Sequence, residues 1–150
     1  MQMRPTRSWS LRLAATAMAV AALTGLSACS STPATSGSTS QSTSQHMAAS
    51  DFASAVKAPR TIVLDVRTPA EFSAGHLPAA KNVDFEGTDF AAGIAALDKS
   101  ATYALYCRSG NRSGKAMEQM AAAGFTHLYD LSGGISAWEN MGGPMMMGGS

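Results

Sequence analysis

Thr61-Ile62-Val63-Leu64-Asp65-Val66 is a continuous run of β-branched and aliphatic residues rather than an alternation of apolar and polar ones. A strand with that pattern is buried on both faces, which is the condition of a strand inside a parallel sheet covered on two sides. A second run, Thr102 to Tyr106, repeats the pattern, and shorter strand signals fall at Ala80 to Val83 and Phe125 to Tyr129. Between them lie segments of helical period. Ala49 to Val56 places Phe52, Ala55 and Val56 on one face behind a Ser50 cap and ahead of Pro59. Thr68-Pro69-Ala70-Glu71-Phe72 opens with a cap, a first-turn proline and an acid at the third position. Asp89 to Leu97 carries Phe90, Ile94 and Leu97 as a stripe. Ser113 to Ala123 ends at Gly124, and Ile135 to Asn140 makes the last helix. Strands that alternate with helices along the whole segment specify an α/β fold.

The 150 residues suffice for one such domain, and the N-terminal segment does not belong to it. Arg4, Arg7 and Arg12 precede an apolar stretch from Leu13 to Leu26. That stretch is shorter than the roughly 20 residues of a spanning helix, so it reads as a signal peptide. It closes on Leu26-Ser27-Ala28-Cys29, which resembles the lipobox of bacterial lipoproteins. The resemblance implies cleavage after residue 28 and acylation of Cys29. Two or three acyl chains make a stable anchor at about 0.8 kcal/mol per buried CH₂. The expected location is therefore the cell envelope, outside the cytoplasm. Ser30, where an aspartate would signal inner-membrane retention, points to the outer membrane in a Gram-negative cell. In a Gram-positive cell the anchor is the outer face of the cell membrane.

Ser30 to Gln45 is dominated by Ser and Thr and lacks the apolar content to pack. It reads as a flexible tether reaching on the order of 25 Å. The expected organisation is a signal peptide over 1–28, a lipidated N-terminus and tether over 29–46, a folded domain over 47–144, and a Met/Gly-rich disordered tail over 145–150. Loss of Arg4, Arg7 and Arg12 leaves eight basic against ten acidic residues, a formal charge of −2. No basic stripe exists, which excludes nucleic acid as a partner. Nothing in the sequence demands more than a monomer.

With Cys29 acylated, Cys107 has no cysteine partner in a compartment where disulfides persist. It follows the strand Tyr103-Ala104-Leu105-Tyr106 and opens the run Cys107-Arg108-Ser109-Gly110-Asn111-Arg112-Ser113, which leads into a helix. Unpaired N–H groups of a strand–loop–helix junction form a cradle for anions. A thiol at its mouth, beside two arginines, is held toward thiolate. This is the chemistry of a nucleophile that carries an anionic group.

Several motifs in order then fit one family. Asp65-Val66-Arg67 ends a strand, and Glu71-Phe72, Gly75-His76-Leu77-Pro78-Ala79-Ala80 and Asn82 follow. After the Cys107–Ser113 loop come Leu131-Ser132-Gly133-Gly134-Ile135, Ala137-Trp138 and Gly143-Pro144. The segment from about Ala49 to Pro144 resembles the rhodanese domain, a family of sulfurtransferases. The resemblance implies an α/β fold with a central five-stranded parallel sheet and the active cysteine at a strand tip. It implies transfer of a sulfane sulfur from thiosulfate or a similar anionic donor to cyanide or a thiol through a Cys107 persulfide. No metal or organic cofactor is implied. Four residues separate Cys107 from Arg112, where phosphatase relatives have five; the smaller cradle suits a sulfur atom.

The residues expected to act divide accordingly. Cys107 is the nucleophile; Arg108, Ser109, Gly110, Asn111, Arg112 and Ser113 bind the donor or the persulfide. Charge neutralisation by Arg108, Arg112 and the helix dipole would assist attack on a dianion. Asp65, Arg67 and Glu71 support the cradle, with the acids placed to orient Arg67, Arg112 or the loop backbone. If Arg112 pairs with one of these acids, Arg108 is left as the solvent-facing anion reader. His76 reads as a structural hydrogen bond in its turn, Trp138 as core. Met145-Met146-Met147 reads as a frayed tail, with Cu(I) binding by its thioethers as the alternative. An envelope persulfide carrier and a thiol-redox sensor are the alternative functions.

Overall fold

A computed structural model of the protein describes residues 43–148. The segment read as a signal peptide, the proposed lipidation site Cys29 and the tether up to residue 42 lie outside the described residues. Five strands form a single sheet: β1 (Thr43–Met47), β2 (Thr61–Asp65), β3 (Lys81–Asn82), β4 (Thr102–Tyr106) and β5 (His127–Leu131). Their order is β1-β5-β4-β2-β3 and every pairing is parallel. Five helices connect them: α1 (Ala49–Ala55), α2 (Pro69–Ala74), α3 (Phe90–Ala95), α4 (Asn111–Ala122) and α5 (Gly134–Asn140). The α/β architecture with five parallel strands is the one the sequence motifs imply.

The central strand β4 has partners on both edges and apolar layers on both faces. Tyr103 and Leu105 join Leu64, Met117, Met120 and Phe125 in one layer. Ala104 and Tyr106 join Phe52, Leu77, Leu131 and Trp138 in the other. All four residues from Tyr103 to Tyr106 are fully buried. Each large apolar side chain removed from water there contributes about 1.5–3 kcal/mol. The next residue, Cys107, therefore emerges from the most firmly held strand of the sheet, where parallel α/β folds place their ligands.

Both ends of the domain extend past the boundaries read from sequence. Residues 43–46 are not tether: with Met47 they form β1, in register with β5 from Thr43 opposite His127 to Met47 opposite Leu131. The strand is polar and exposed because it lies at the sheet edge. At the other end, residues 145–148 are not frayed. Met146 and His76 exchange backbone bonds of 2.8 and 2.9 Å, Gly148 N–H donates to Ser73 O at 3.1 Å, and Met145 packs on the core.

The elements differ from the sequence reading at their ends. Ala48, not Ser50, precedes α1, and no side chain caps that helix. Strand β5 begins two residues later than expected, at His127, and continues to Leu131. Helix α4 starts at Asn111 instead of Ser113, because Gly110 takes a left-handed φ of 96° and turns the chain directly into it. Thr68 and Glu71 form the expected capping box at α2. Among the described residues, no helix is long and apolar enough to cross a membrane.

Candidate active site

Cys107 leaves β4 and the chain bends through Arg108, Ser109 and Gly110 into α4. The thiol is buried at 1% exposure. Gly110 N–H donates to its Sγ at 3.1 Å. Burial is the largest single influence on the thiol and opposes ionisation. The N–H groups of Ser113 and Ser109, the Ser113 hydroxyl and Gly110 N–H together outweigh it, so the pKa falls below the ordinary thiol value. Hydrogen bonds to the charged form are the main influence that favours the thiolate.

The loop keeps its shape because α5 holds its outer side. Ile135 N–H donates to Cys107 O at 2.8 Å, and the Ser136 N–H and hydroxyl donate to Arg108 O at 3.4 and 3.2 Å. Gly134 permits this approach. Its φ is +60°, and a Cβ there would lie 2.4 to 2.5 Å from the carbonyl atoms of Arg108 and Cys107. No other residue fits without displacing the loop.

The arginines divide into three roles. Arg67 is buried and grips Asp65 through Nε at 3.0 Å to both carboxylate oxygens and through an η nitrogen at 2.6 Å. It also donates to Gly75 O at 2.7 Å and lies 5.5 Å from the Tyr106 ring centroid. The Asn82 amide donates to the carbonyls of Asp65 and Arg67 at 3.0 and 2.8 Å. This set joins the ends of β2 and β3 to the turn before Leu77. Arg112 makes two 2.8 Å bonds to the two oxygens of Glu71 and a third, at 2.9 Å, to Glu86. The Arg112 bond holds the Glu71 carboxyl down at about 2, with further lowering from Thr68. In return Glu71, against some desolvation, pushes the Arg112 guanidinium well above its ordinary value.

Arg112 is therefore paired with two acids, the arrangement that leaves Arg108 facing solvent, and it braces α4 against α2 and the segment before α3. Arg108 differs: it is exposed, and among the described residues no carboxylate pairs with it. One arginine against one acid is neutral, and one against two is negative. The uncompensated positive charge beside Cys107 is Arg108. A cavity of about 250 Å³ lies beside Arg108, lined also by Arg67, Glu71, Ala74, Ile135, Ser136 and Glu139 but not by Cys107. A larger cavity of about 520 Å³, lined by Val56, Leu77 and Trp138 among others, contains no residue of the Cys107 loop.

Ser109 and Asn111 are exposed on the loop, and Ser113 is fully buried beneath it. The Ser113 hydroxyl donates to Asp130 Oδ2 at 3.0 Å, with Gly110 O at 3.2 Å. His76 stacks on Phe72 at 3.9 Å between centroids, and its Nδ1 bonds Phe72 O at 3.1 Å; its polar contacts are structural. Trp138 is core, its Nε1 donating to Pro144 O at 3.0 Å. Among the described residues, no group of three His, Cys, Asp or Glu is placed to hold a metal.

Glu86, Asp130 and His46 take part in this arrangement and were not legible as site residues. Glu86 is 26 residues from Arg112 in a turn without a motif. Asp130 and His46 are brought together only by the β1–β5 pairing.

The cysteine at the tip of a central parallel strand, in a loop whose N–H groups face its sulfur, defines a protein with a thiol-centred site at the end of its sheet. The rhodanese-like domain model matches residues 48–141, and the chain belongs to that family. It is 40% identical to thiosulfate sulfurtransferase 16, chloroplastic, of Arabidopsis thaliana, covering 54% of this chain and 76% of that protein. Identity to thiosulfate sulfurtransferase GlpE of Pseudomonas fluorescens is 32%, over 59% of this chain and 80% of the relative. Among solved structures, a rhodanese-related protein from Thermoplasma volcanium superposes with a TM-score of 0.62 at 29% identity. That match covers 69% of this chain and 98% of the other.

Proposed function

We propose that the protein is a sulfurtransferase that moves a sulfane sulfur from thiosulfate or a similar anionic donor to cyanide or a thiol. The observation that carries this reading is Cys107 itself: a thiol biased toward thiolate by loop N–H groups, beside one arginine without a carboxylate partner. The thiolate attacks the outer sulfur of thiosulfate. A Cys107 S–S bond forms as the donor S–S bond breaks, and sulfite leaves with the electron pair. The acceptor then attacks the terminal persulfide sulfur, forming thiocyanate in the case of cyanide and returning Cys107 to thiolate. Arg108 attracts the dianionic donor, and the loop N–H groups stabilise the persulfide anion. The residues named act without a cofactor.

The names of the Arabidopsis and Pseudomonas relatives support the donor class. The sequence around Cys29 supports a lipid-anchored protein facing the cell envelope. The test of the activity is thiocyanate production from thiosulfate and cyanide by the purified protein, with Cys107→Ser alongside. Loss of all turnover in the variant is expected. Appreciable residual turnover, or an inactive but folded parent protein, would refute the reading.

A further inference from the structure

The cavity of about 520 Å³ takes no part in the transfer chemistry. Residues of α1, β2, β3 and α5 and of the turns beside them line it. Its volume falls within the range of about 300–1,000 Å³ that small-molecule sites occupy. The floor is apolar and buried: Val63, Leu77 and Trp138 are 5%, 1% and 3% exposed. Nearer to solvent the lining includes Val56, Pro144 and Met141, and Met141 is 46% exposed although it is apolar.

The wall at Trp138 is held by specific bonds. The indole N–H donates to Pro144 O at 3.0 Å, and Gly143 N–H donates to Trp138 O at 2.9 Å. A Cβ on Gly143 would lie 2.3 Å from the indole nitrogen, so the backbone lies directly on the ring. The chain after α5 is thus folded back over Trp138, and the cavity is formed before any ligand enters.

The charge at this cavity has one sign. Its lining includes Lys57 and Lys81, both exposed, and no acid. Among the described residues neither lysine forms an ion pair. Other cavities of the domain differ: the one beside Arg108 holds Glu71 and Glu139, and the one beside Phe90 holds Asp84 and Asp89. A buried apolar floor under a cationic rim is complementary to a hydrocarbon chain that ends in an anion, and the lysine stems extend the apolar wall toward that end.

We propose that this cavity binds a free single-chain amphipathic anion, a medium-chain fatty-acid carboxylate being the simplest. The chain lies against Val63, Leu77 and Trp138, and the carboxylate meets Lys57 and Lys81. The site is separate from the sulfur chemistry, since no residue of the Cys107 loop lines it.

The test is titration of the full chain carrying Trp9→Phe, in which Trp138 is the one remaining tryptophan, with decanoate below its micelle concentration. A saturable change in Trp138 emission is expected. Replacing both lysines, Lys57→Gln with Lys81→Gln, is expected to raise the Kd about tenfold, each exposed charge contact accounting for about threefold. Both lysines are exposed, so this variant retains the fold. Ala53→Phe fills the cavity from α1 and is expected to abolish the change; the lysine variant decides alone if Ala53→Phe does not fold. No saturable change in the parent overturns the site. An unchanged Kd in the lysine variant, or equal affinity for decyltrimethylammonium, overturns the anionic class. Retained binding in a folded Ala53→Phe variant places decanoate elsewhere and overturns the proposal, as does binding to anionic phospholipid vesicles without binding to decanoate. Thiocyanate production is not the readout, so the result stands whether or not the sulfurtransferase reading does.

Discussion

Replacing Glu71 by Gln measures how firmly α2 holds the arginine of the loop. Glu71 receives two guanidinium bonds at 2.8 Å and two bonds from Thr68, at 3.0 Å from the hydroxyl and 3.1 Å from the N–H. The amide keeps the shape of the side chain and removes the charge. Arg112 is the largest cause of the fall of the Glu71 carboxyl from 4.5 to about 2. At full value that displacement corresponds to about 3 kcal/mol. The side chains are 18% and 27% exposed, so solvent screens part of the attraction. About 2 kcal/mol is the loss expected at pH 7. Because the carboxyl is lowered on folding, its stabilisation is complete above about pH 4.5 and disappears as pH falls toward about 2. Urea unfolding across a pH series is the assay. Glu71→Gln is expected to be less stable at neutral pH, with a flatter acid limb that converges on the parent near pH 2. A constant offset at every pH, or a loss below about 0.5 kcal/mol, refutes the electrostatic account of the brace.

Arg108→Ala removes the loop cation that no acid engages, and is expected to raise the thiosulfate KM about tenfold while kcat changes little. Steady-state kinetics decide, and an unchanged KM would place the anion contact elsewhere. Cys29→Ala is expected to abolish incorporation of radiolabelled palmitate into the protein in bacterial cells. Labelling that survives the substitution would remove the proposed anchor.

Much of the fold was legible because burial on two faces writes itself into composition. The run around Val63 and the run around Leu105 need no neighbours to be read as strands. The capping box of Thr68 and Glu71 is equally local, four consecutive positions with a direct physical meaning. Strand β1 was read as tether for the converse reason. Thr43-Ser44-Gln45-His46 has the composition of a solvated segment, since an edge strand with exposed side chains is held by backbone bonds. The reading of β5 stopped at Tyr129, one residue short of Asp130, a carboxylate buried next to the end of the strand. Only the Ser113 and His46 contacts make its burial tolerable. The site showed the same division. Cys107 and its loop are contiguous and could be read. Whether Arg112 faced a ligand or an acid depended on Glu71 and Glu86, 41 and 26 residues away, and no local pattern states that pairing.

The bonds from α5 to the loop bear on more than its shape. Every peptide group has two ends, and one that turns its oxygen outward presents its N–H inward. Ile135 and Ser136 take the oxygens of Cys107 and Arg108 from outside, and Gly114 N–H with the Ser113 hydroxyl takes that of Gly110. The loop is thus poled, as a dielectric is when its dipoles are frozen in one direction. The sulfur meets a standing field that was aligned during folding and needs no rearrangement when charge arrives. Much of the affinity for a negative sulfur is then stored in a helix that never touches it.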